Sequence, residues 1–317
     1  MEKVLRIGTR DSQLAVWQAT LVKNLLSDHG IGAELVFIKS EGDIDLQTPL
    51  YEIGVQGIFT RSLDIALLEG RIDLAVHSMK DVPTQLPKGI VQASILQRAS
   101  YKDLFVYKDA SFIKKFQLDE AFLSSPLGAG GSIATSSIRR QAQWLHRYPN
   151  TRVENLRGNI NTRLRKVEES NWNGAIFAAA GLERIELRPQ NSIELDWMLP
   201  APAQGAIMVV CKEEDEYTLN GCRNFHDEAT AICTNIERDF LRALMGGCSM
   251  PIGALAEIED GSIIFHGNIL SVDGKEKVEV KRTVKIQDAG NLGYEAAQEI
   301  LINGGQSIVE SIRNEGK

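Results

Sequence analysis

Between Arg139 and Lys166 the chain places eight basic residues (Arg139, Arg140, Arg147, Arg152, Arg157, Arg163, Arg165 and Lys166) against one acid, Glu154, a local excess of seven positive charges. All but the last are arginines, whose forked donors match carboxylate or phosphate oxygens two at a time. A solvated surface face is the plain reading for some of them, Arg147 first. Thr135, Ser136 and Ser137 stand just before Ile138-Arg139-Arg140 and supply caps for a helix. Hydroxyls, backbone N–H groups and the positive end of a helix dipole then join the guanidinium groups at one anion site. Arg157-Gly158-Asn159 repeats the arrangement after the next apolar segment. The implied partner is a small polyanion.

Three further clusters could act on such a partner. In His77-Ser78-Met79-Lys80-Asp81-Val82-Pro83, Asp81 is the carboxylate placed to hold a developing cation among substrate anions and to pass a proton. A Lys80–Asp81 turn pair is the plain alternative, and His77 reads as a satisfied structural histidine. Arg10-Asp11-Ser12 offers either another anion contact or a helix cap. Gly246-Gly247-Cys248 follows a long helical pattern, and its glycines let a tight turn expose the Cys248 sulfur, although most lone cysteines are buried and inert. Cys211, Cys222 and Cys233 read as structural.

The elements that must position these groups alternate. Strand patterns at Val4–Thr9, Ala33–Ser40 and Asp73–His77 enclose helical patterns through Leu14–Leu26 and Phe59–Glu69. Such alternation implies a parallel sheet with crossover helices and ligand loops at the carboxyl ends of its strands. After a less regular stretch, Lys102–Pro126, the pattern restarts with strands at Gly131–Ala134, Thr151–Asn155 and Gly174–Ala179 and a helix over Ile160–Glu169. Ala206–Cys211 reads as a strand returning to the first sheet. Beyond Cys222 a helix (Ala229–Leu244) precedes three strands and a helix near Tyr294–Asn303. The expected fold is α/β, two doubly wound domains plus a small α+β C-terminal domain, divided as 1–98 with 200–218, 99–199 and 219–317.

Composition narrows the function. With 43% apolar and 24% charged residues the 317-residue chain excludes disorder as its main state. Its net charge of −7 argues against a nucleic-acid-coating role. The first residues lead into no apolar signal segment, and the longest apolar stretches fall far short of the roughly 18 residues a membrane span needs, so a cytoplasmic protein is expected. The cysteines, spaced 11, 11 and 15 apart with no CxxC pair, suit neither structural zinc nor a disulfide framework.

Read together, these motifs resemble one family, the porphobilinogen deaminases, also called hydroxymethylbilane synthases. The resemblance runs through Ile7–Ser12, Val76–Pro83, Thr135–Gln141, Leu156–Asn159, Ala180–Arg184 and Gly246–Gly253, in the family's order and over almost the whole chain. It implies a cytoplasmic, monomeric transferase of tetrapyrrole biosynthesis that joins four porphobilinogens into hydroxymethylbilane with release of ammonia. It also implies three domains, the first two like type II periplasmic binding proteins, and no metal, nucleic acid or membrane. The implied cofactor is dipyrromethane, made from the substrate and held by a thioether at Cys248. By the same carry-over Asp81 is catalytic. Ser78, Lys80, Thr135, Ser136, Ser137, Arg139, Arg140, Arg157, Arg163 and Arg184 match cofactor-binding positions. Arg10, Ser12, Phe59, Arg157, Arg163 and Arg184 match substrate-binding positions. The sequence departs from the family pattern at Val55-Gln56-Gly57, where the family usually has Gly-Lys-Gly, and at Arg61-Ser62, where it usually has Lys-Glu, which leaves one basic contact near the active-site loop open. Pro202 is a further departure that stiffens the interdomain hinge.

Rival classes explain less. An anion-binding solute-binding-type protein without catalysis would share the two-domain plan but gives Cys248 and the third domain nothing to do. A ligand-sensing regulator would want a helix-turn-helix, and a phosphate-transfer enzyme a Lys after Gly128-Ala129-Gly130-Gly131-Ser132.

Overall fold

The computed structural model describes residues 3–39, 60–109, 131–244 and 250–315. In chain order the elements are β1 (Leu5–Thr9), α1 (Gln13–Asp28), β2 (Ala33–Phe37), α2 (Arg61–Leu68), β3 (Leu74–Ser78) and β4 (Ile90–Ile95). Then come β5 (Asp103–Tyr107), β6 (Ser132–Ala134), α3 (Ile138–Arg147), β7 (Arg152–Glu154), α4 (Ile160–Glu169), β8 (Gly174–Ala178), α5 (Ala179–Glu183) and β9 (Ser192–Glu194). The chain continues with β10 (Ile207–Lys212), α6 (Glu216–Arg223), α7 (Glu228–Ala243), β11 (Ile252–Glu259), β12 (Ser262–Leu270), β13 (Lys277–Lys285), α8 (Leu292–Ile300) and α9 (Gln306–Glu315). It divides into two compact units: residues 1–46, 55–100 and 204–232, and residues 47–54, 101–203 and 233–317.

The first unit holds a five-stranded sheet in the order β2-β1-β3-β10-β4. Leu5 and Ile7 alternate with Gly8 along β1, and the two faces meet different helices. Leu5 and Ile7 pack with Ala19, Val22 and Leu26 of α1. A Cβ at Gly8 would fall 2.9 Å from Leu63 of α2 and closer still to Ile72, so the glycine lets that helix close on the sheet. The parallel sheet that the alternation implied is a mixed one. β1, β2 and β3 run parallel, but the returning strand β10 is antiparallel to both β3 and β4. The chain reaches β10 from residues of the other unit and not through a βα crossover within this sheet, so the parallel rule for such crossovers does not set its direction.

The second unit repeats the same order with its own strands, β7-β6-β8-β5-β9. Here the antiparallel strand is β5, which lies inside the stretch read as irregular from Lys102. Leu104 and Val106 face Leu164 and Val167 of α4, while Phe105 faces Trp144 of α3 and Tyr148 just beyond its end, so β5 is buried on both sides and its apolar run carries no alternation. The C-terminal portion adds an antiparallel meander, β11-β12-β13. Phe240 of α7 packs edge-on against Phe265 of β12, ring centroids 5.2 Å apart. Gly293 lets α8 approach α7, since a Cβ there would stand 2.2 Å from the Ile236 carbonyl. The fold is thus mixed α/β with two five-stranded sheets and a small C-terminal sheet-and-helix portion.

Candidate active site

In the first unit β1 and β3 are parallel neighbours, so the loops that follow them leave the sheet at the same end. Arg10 and Ser12 lie on one loop and Ser78, Lys80 and Asp81 on the other. Ser12 caps α1, its hydroxyl accepting the Ala15 N–H at 3.4 Å. Beyond Ser78 the chain makes one 3-10 turn, Met79–Asp81, held by Val82 N–H to the Met79 carbonyl (3.1 Å) and Met79 N–H to the Ala206 carbonyl (3.0 Å). That turn buries Met79, half-buries Lys80 and puts Asp81 on the surface. Lys80 Nζ donates to Gln204 Oε1 at 3.3 Å, and the Ser78 hydroxyl accepts from Gln18 Nε2 at 2.9 Å.

His77 departs from the satisfied role expected of it. The ring is buried and Nε2 has no hydrogen-bond partner. Burial, and then the charge of Arg10, push its pKa down to about 4, so the imidazole is neutral.

In the second unit β6, β7 and β8 run parallel and place three loops at one end. Ser136 ties two of them together: its single O–H lies between two acceptors, Asn155 Oδ1 at 2.7 Å and the Leu156 carbonyl, and its oxygen accepts the Leu156 N–H at 2.9 Å. Thr135 is buried, with Oγ1 accepting the Ser137 N–H at 3.2 Å, and Ser137 caps α3 by accepting the Arg140 N–H. Asn159 caps α4 in the same way. Gly158, at φ 113°, turns the chain between them and brings its carbonyl within 2.7 Å of Arg163 Nε. Arg157 is buried, and its carbonyl accepts Lys166 Nζ at 3.1 Å. Arg184 ends α5, where burial lowers its pKa to about 10 against the pull of Glu183. Arg147, Arg152 and Arg165 are exposed, the surface role anticipated for Arg147.

Arg139 and Arg140 are buried against a carboxylate of the protein itself. Asp103, fully buried at the start of β5, accepts Arg139 Nη2 (2.8 Å) on one oxygen and Arg140 Nη2 (2.8 Å) and Nε (3.1 Å) on the other. Arg139 Nη1 goes to the Leu199 carbonyl and Arg140 Nη1 to the Ile176 carbonyl. One negative and two positive groups leave a single buried positive charge, and Arg139 Nε has no partner. Sequence reasoning missed Asp103 because a lone acid before Leu-Phe-Val-Tyr looked like a loop residue. It also missed Gln204 and Gln18, neutral residues without a chemical signature.

Cys211 and Cys222 are buried and their thiols are pushed up to about 12, chiefly by desolvation, while Cys233 is buried as well. Cys248 and Phe59 lie outside the described residues. Among the described residues no cluster of His, Cys, Asp or Glu could hold a metal ion, and no helix is long and apolar enough to cross a membrane.

Two family models match the chain: "Porphobilinogen deaminase, dipyromethane cofactor binding domain" over residues 5–220 and "Porphobilinogen deaminase, C-terminal domain" over residues 231–302. A curated porphobilinogen deaminase of Syntrophotalea carbinolica is 40% identical over 312 residues, covering 97% of this chain and 96% of that one. Solved structures with partial likeness include an ancestral cationic amino acid solute binding protein (15% identity, TM-score 0.45, 70% of this chain and 87% of that one). The methionine binding protein MetQ is another (14% identity, TM-score 0.43, 72% and 92%).

Proposed function

This chain belongs to the porphobilinogen deaminase family, and from that premise we infer how its residues divide the work of joining four porphobilinogens into hydroxymethylbilane. The observation that carries the assignment of roles is the gathering of carboxylate-matching donors at strand ends, beside the exposed carboxylate of Asp81 in one unit and around a net buried positive charge in the other. Each porphobilinogen brings two carboxylates, so a growing pyrrole chain is a polyanion for such donors.

The donor set fits the family's dipyrromethane, because buried Arg139 Nε still lacks an acceptor while Thr135, Ser136 and Ser137 fix the loops around it. Cys248 would hold the group by a thioether, with Ser78, Lys80, Arg139, Arg140, Arg157, Arg163 and Arg184 answering its carboxylates. When bound, the group supplies the nucleophilic pyrrole α-carbon. Arg10, Ser12 and Phe59, with Arg157, Arg163 and Arg184, would orient the incoming porphobilinogen. Asp81 holds a proton at the aminomethyl nitrogen so that it leaves as ammonia, and its negative charge stabilises the cation left on the substrate ring. The same carboxylate then accepts the α-proton whose loss restores aromaticity. The protein acts as a cytoplasmic monomer of three domains, divided at 1–98 with 200–218, 99–199 and 219–317. An anion-binding role without catalysis leaves Asp81 and Cys248 unused.

The test is the intact mass of the purified protein beside Cys248→Ser. The wild type should carry an increment of two porphobilinogens less two ammonia, absent from the variant. Equal bare masses, even after incubation with porphobilinogen, overturn the reading. Asp81→Asn should keep the increment and lose turnover by about a hundredfold or more, the usual worth of a general acid–base group; near-normal turnover removes Asp81 from the chemistry.

A further inference from the structure

Arg139 and Gln143, one turn apart on the same face of α3, reach the same peptide group. Arg139 Nη1 donates to the Leu199 carbonyl at 2.6 Å, and Gln143 Nε2 donates to that oxygen at 2.9 Å. Gln143 Oε1 also accepts the Leu199 N–H at 2.8 Å, so one amide holds both polar groups of the Leu199 backbone. Gln143 is buried, and β11 closes over it: a Cβ on Gly253 would fall 3.2 Å from Gln143 Nε2 and 3.1 Å from Leu199 Cβ. The next residues fasten the same junction, the Ala254 N–H donating to the Pro200 carbonyl at 3.0 Å. With Gln143 in place, Leu199 cannot turn its carbonyl away from α3.

The consequence falls on Arg139. A guanidinium is planar and carries its N–H groups in a fixed fork, so two anchored nitrogens determine where the third points. Nη2 is anchored on Asp103 at 2.8 Å and Nη1 on Leu199, and these two acceptors set the direction of Nε–H. That Nε is buried and has no hydrogen-bond partner. A buried donor left unpaired is costly, and a carboxylate placed on it recovers the cost. Holding both ends of Leu199 takes a side chain with a donor and an acceptor together; a carboxylate offers no donor and a thioether offers only a weak acceptor. We propose that Gln143 is a positioning residue: by holding the Leu199 peptide it fixes the plane of the Arg139 guanidinium and aims Nε–H at a carboxylate of the two-pyrrole group. This deepens the proposed function and rests on it.

A double-mutant cycle between Gln143→Met and Arg139→Met tests the idea with two readouts. One is the rate at which the cofactor-free chain gains the two-pyrrole mass on incubation with porphobilinogen. The other is the N–H resonance of Arg139 Nε in the nitrogen-labelled protein, identified by its absence from Arg139→Met. Arg139→Met leaves Asp103 paired with Arg140, one anion with one cation, and so removes the guanidinium without stranding a buried charge. Gln143→Met should slow the mass gain about tenfold, the usual worth of a misdirected charge-assisted hydrogen bond. In the Arg139→Met background the same change should alter the rate by less than about twofold, whereas a purely structural part would slow both backgrounds alike. Loading the wild type should move the Nε–H resonance downfield as a carboxylate takes the hydrogen bond, and Gln143→Met should abolish that movement. Equal slowing in both backgrounds, an unchanged rate in Gln143→Met, or an intact resonance shift in that variant overturns the proposal. Where Arg139→Met gains no mass at all, the resonance shift decides. If Gln143→Met shows no cooperative melting transition, Gln143→Glu takes its place, since it keeps the acceptor for the Leu199 N–H and has no donor for the carbonyl. A wild type that gains no mass overturns the underlying reading and this proposal together; a wild type that gains it beside an equally fast Gln143→Met overturns the proposal alone.

Discussion

The imidazole of His77 is neutral because its surroundings give an imidazolium nothing to offset desolvation, and Arg10 adds repulsion. A folded-state pKa of about 4 against 6.5 for the unfolded chain means that the unfolded state binds the extra proton first as pH falls. The stabilising neutral form is fully present above pH 6.5 and its contribution is lost between 6.5 and 4, by up to about 3 kcal/mol. Denaturant unfolding across that pH range should show the slope, and His77→Gln should flatten it; an equal slope in both proteins would mean that the ring is hydrated. At this scale the sequence was informative about chemistry and silent about satisfaction. Asp81, Arg157 and Ser136 could be picked out because charge and hydroxyl are visible in one letter. Whether His77 finds a partner depends on what lies across a sheet from it, which no local pattern encodes.

Asp103 shows how an element can supply an internal partner to arginines that the sequence reads as ligand groups. Strand β5 arrives antiparallel between β8 and β9 and carries a buried carboxylate to the N-terminal turn of α3, where it captures two guanidinium groups. Removing it would leave two buried cations without an anion, so Asp103→Ala should cost about 3–5 kcal/mol, read as a lowered urea midpoint at constant slope. Asp103→Asn, which keeps acceptor geometry on one oxygen, should cost less. A loss under about 1 kcal/mol for the alanine variant would mean that water reaches the arginines. A second test at this scale is Gly205→Ala: φ 90° and two carbonyls within 3 Å of any Cβ leave no room, and about 1–3 kcal/mol should be lost. The helices with clear caps and apolar faces, α1, α3 and α4, were legible to within a few residues because each signal is local. β5 was not, since a strand buried on both faces shows no alternation, and neither was the direction of β10, which depends on where the chain comes from.

For the whole molecule, the repeated order of strands was hidden from sequence because the fourth strand of each sheet is not contiguous with the others: β10 reaches the first sheet from far downstream, and β5 precedes the rest of the second. What was legible was the electrostatic asymmetry. A chain of net charge −7 repels an anionic substrate at long range, yet residues 139–166 carry a local excess of seven positive charges. Three of those cations, Arg139, Arg140 and Arg157, are buried, where salt screens poorly, while Arg147, Arg152 and Arg165 are exposed, where it screens well. Raising ionic strength should therefore act on capture more than on the chemical step. Between about 0.02 and 0.5 M monovalent salt the Debye length falls from roughly 20 Å to under 5 Å, and porphobilinogen KM should rise a few-fold while kcat stays within about twofold. A parallel fall in kcat would place screened, exposed charges at the reacting centre and contradict the burial of the arginines assigned to it. A KM indifferent to salt would mean that the buried cations alone recognise the carboxylates and that the exposed ones play no part in capture.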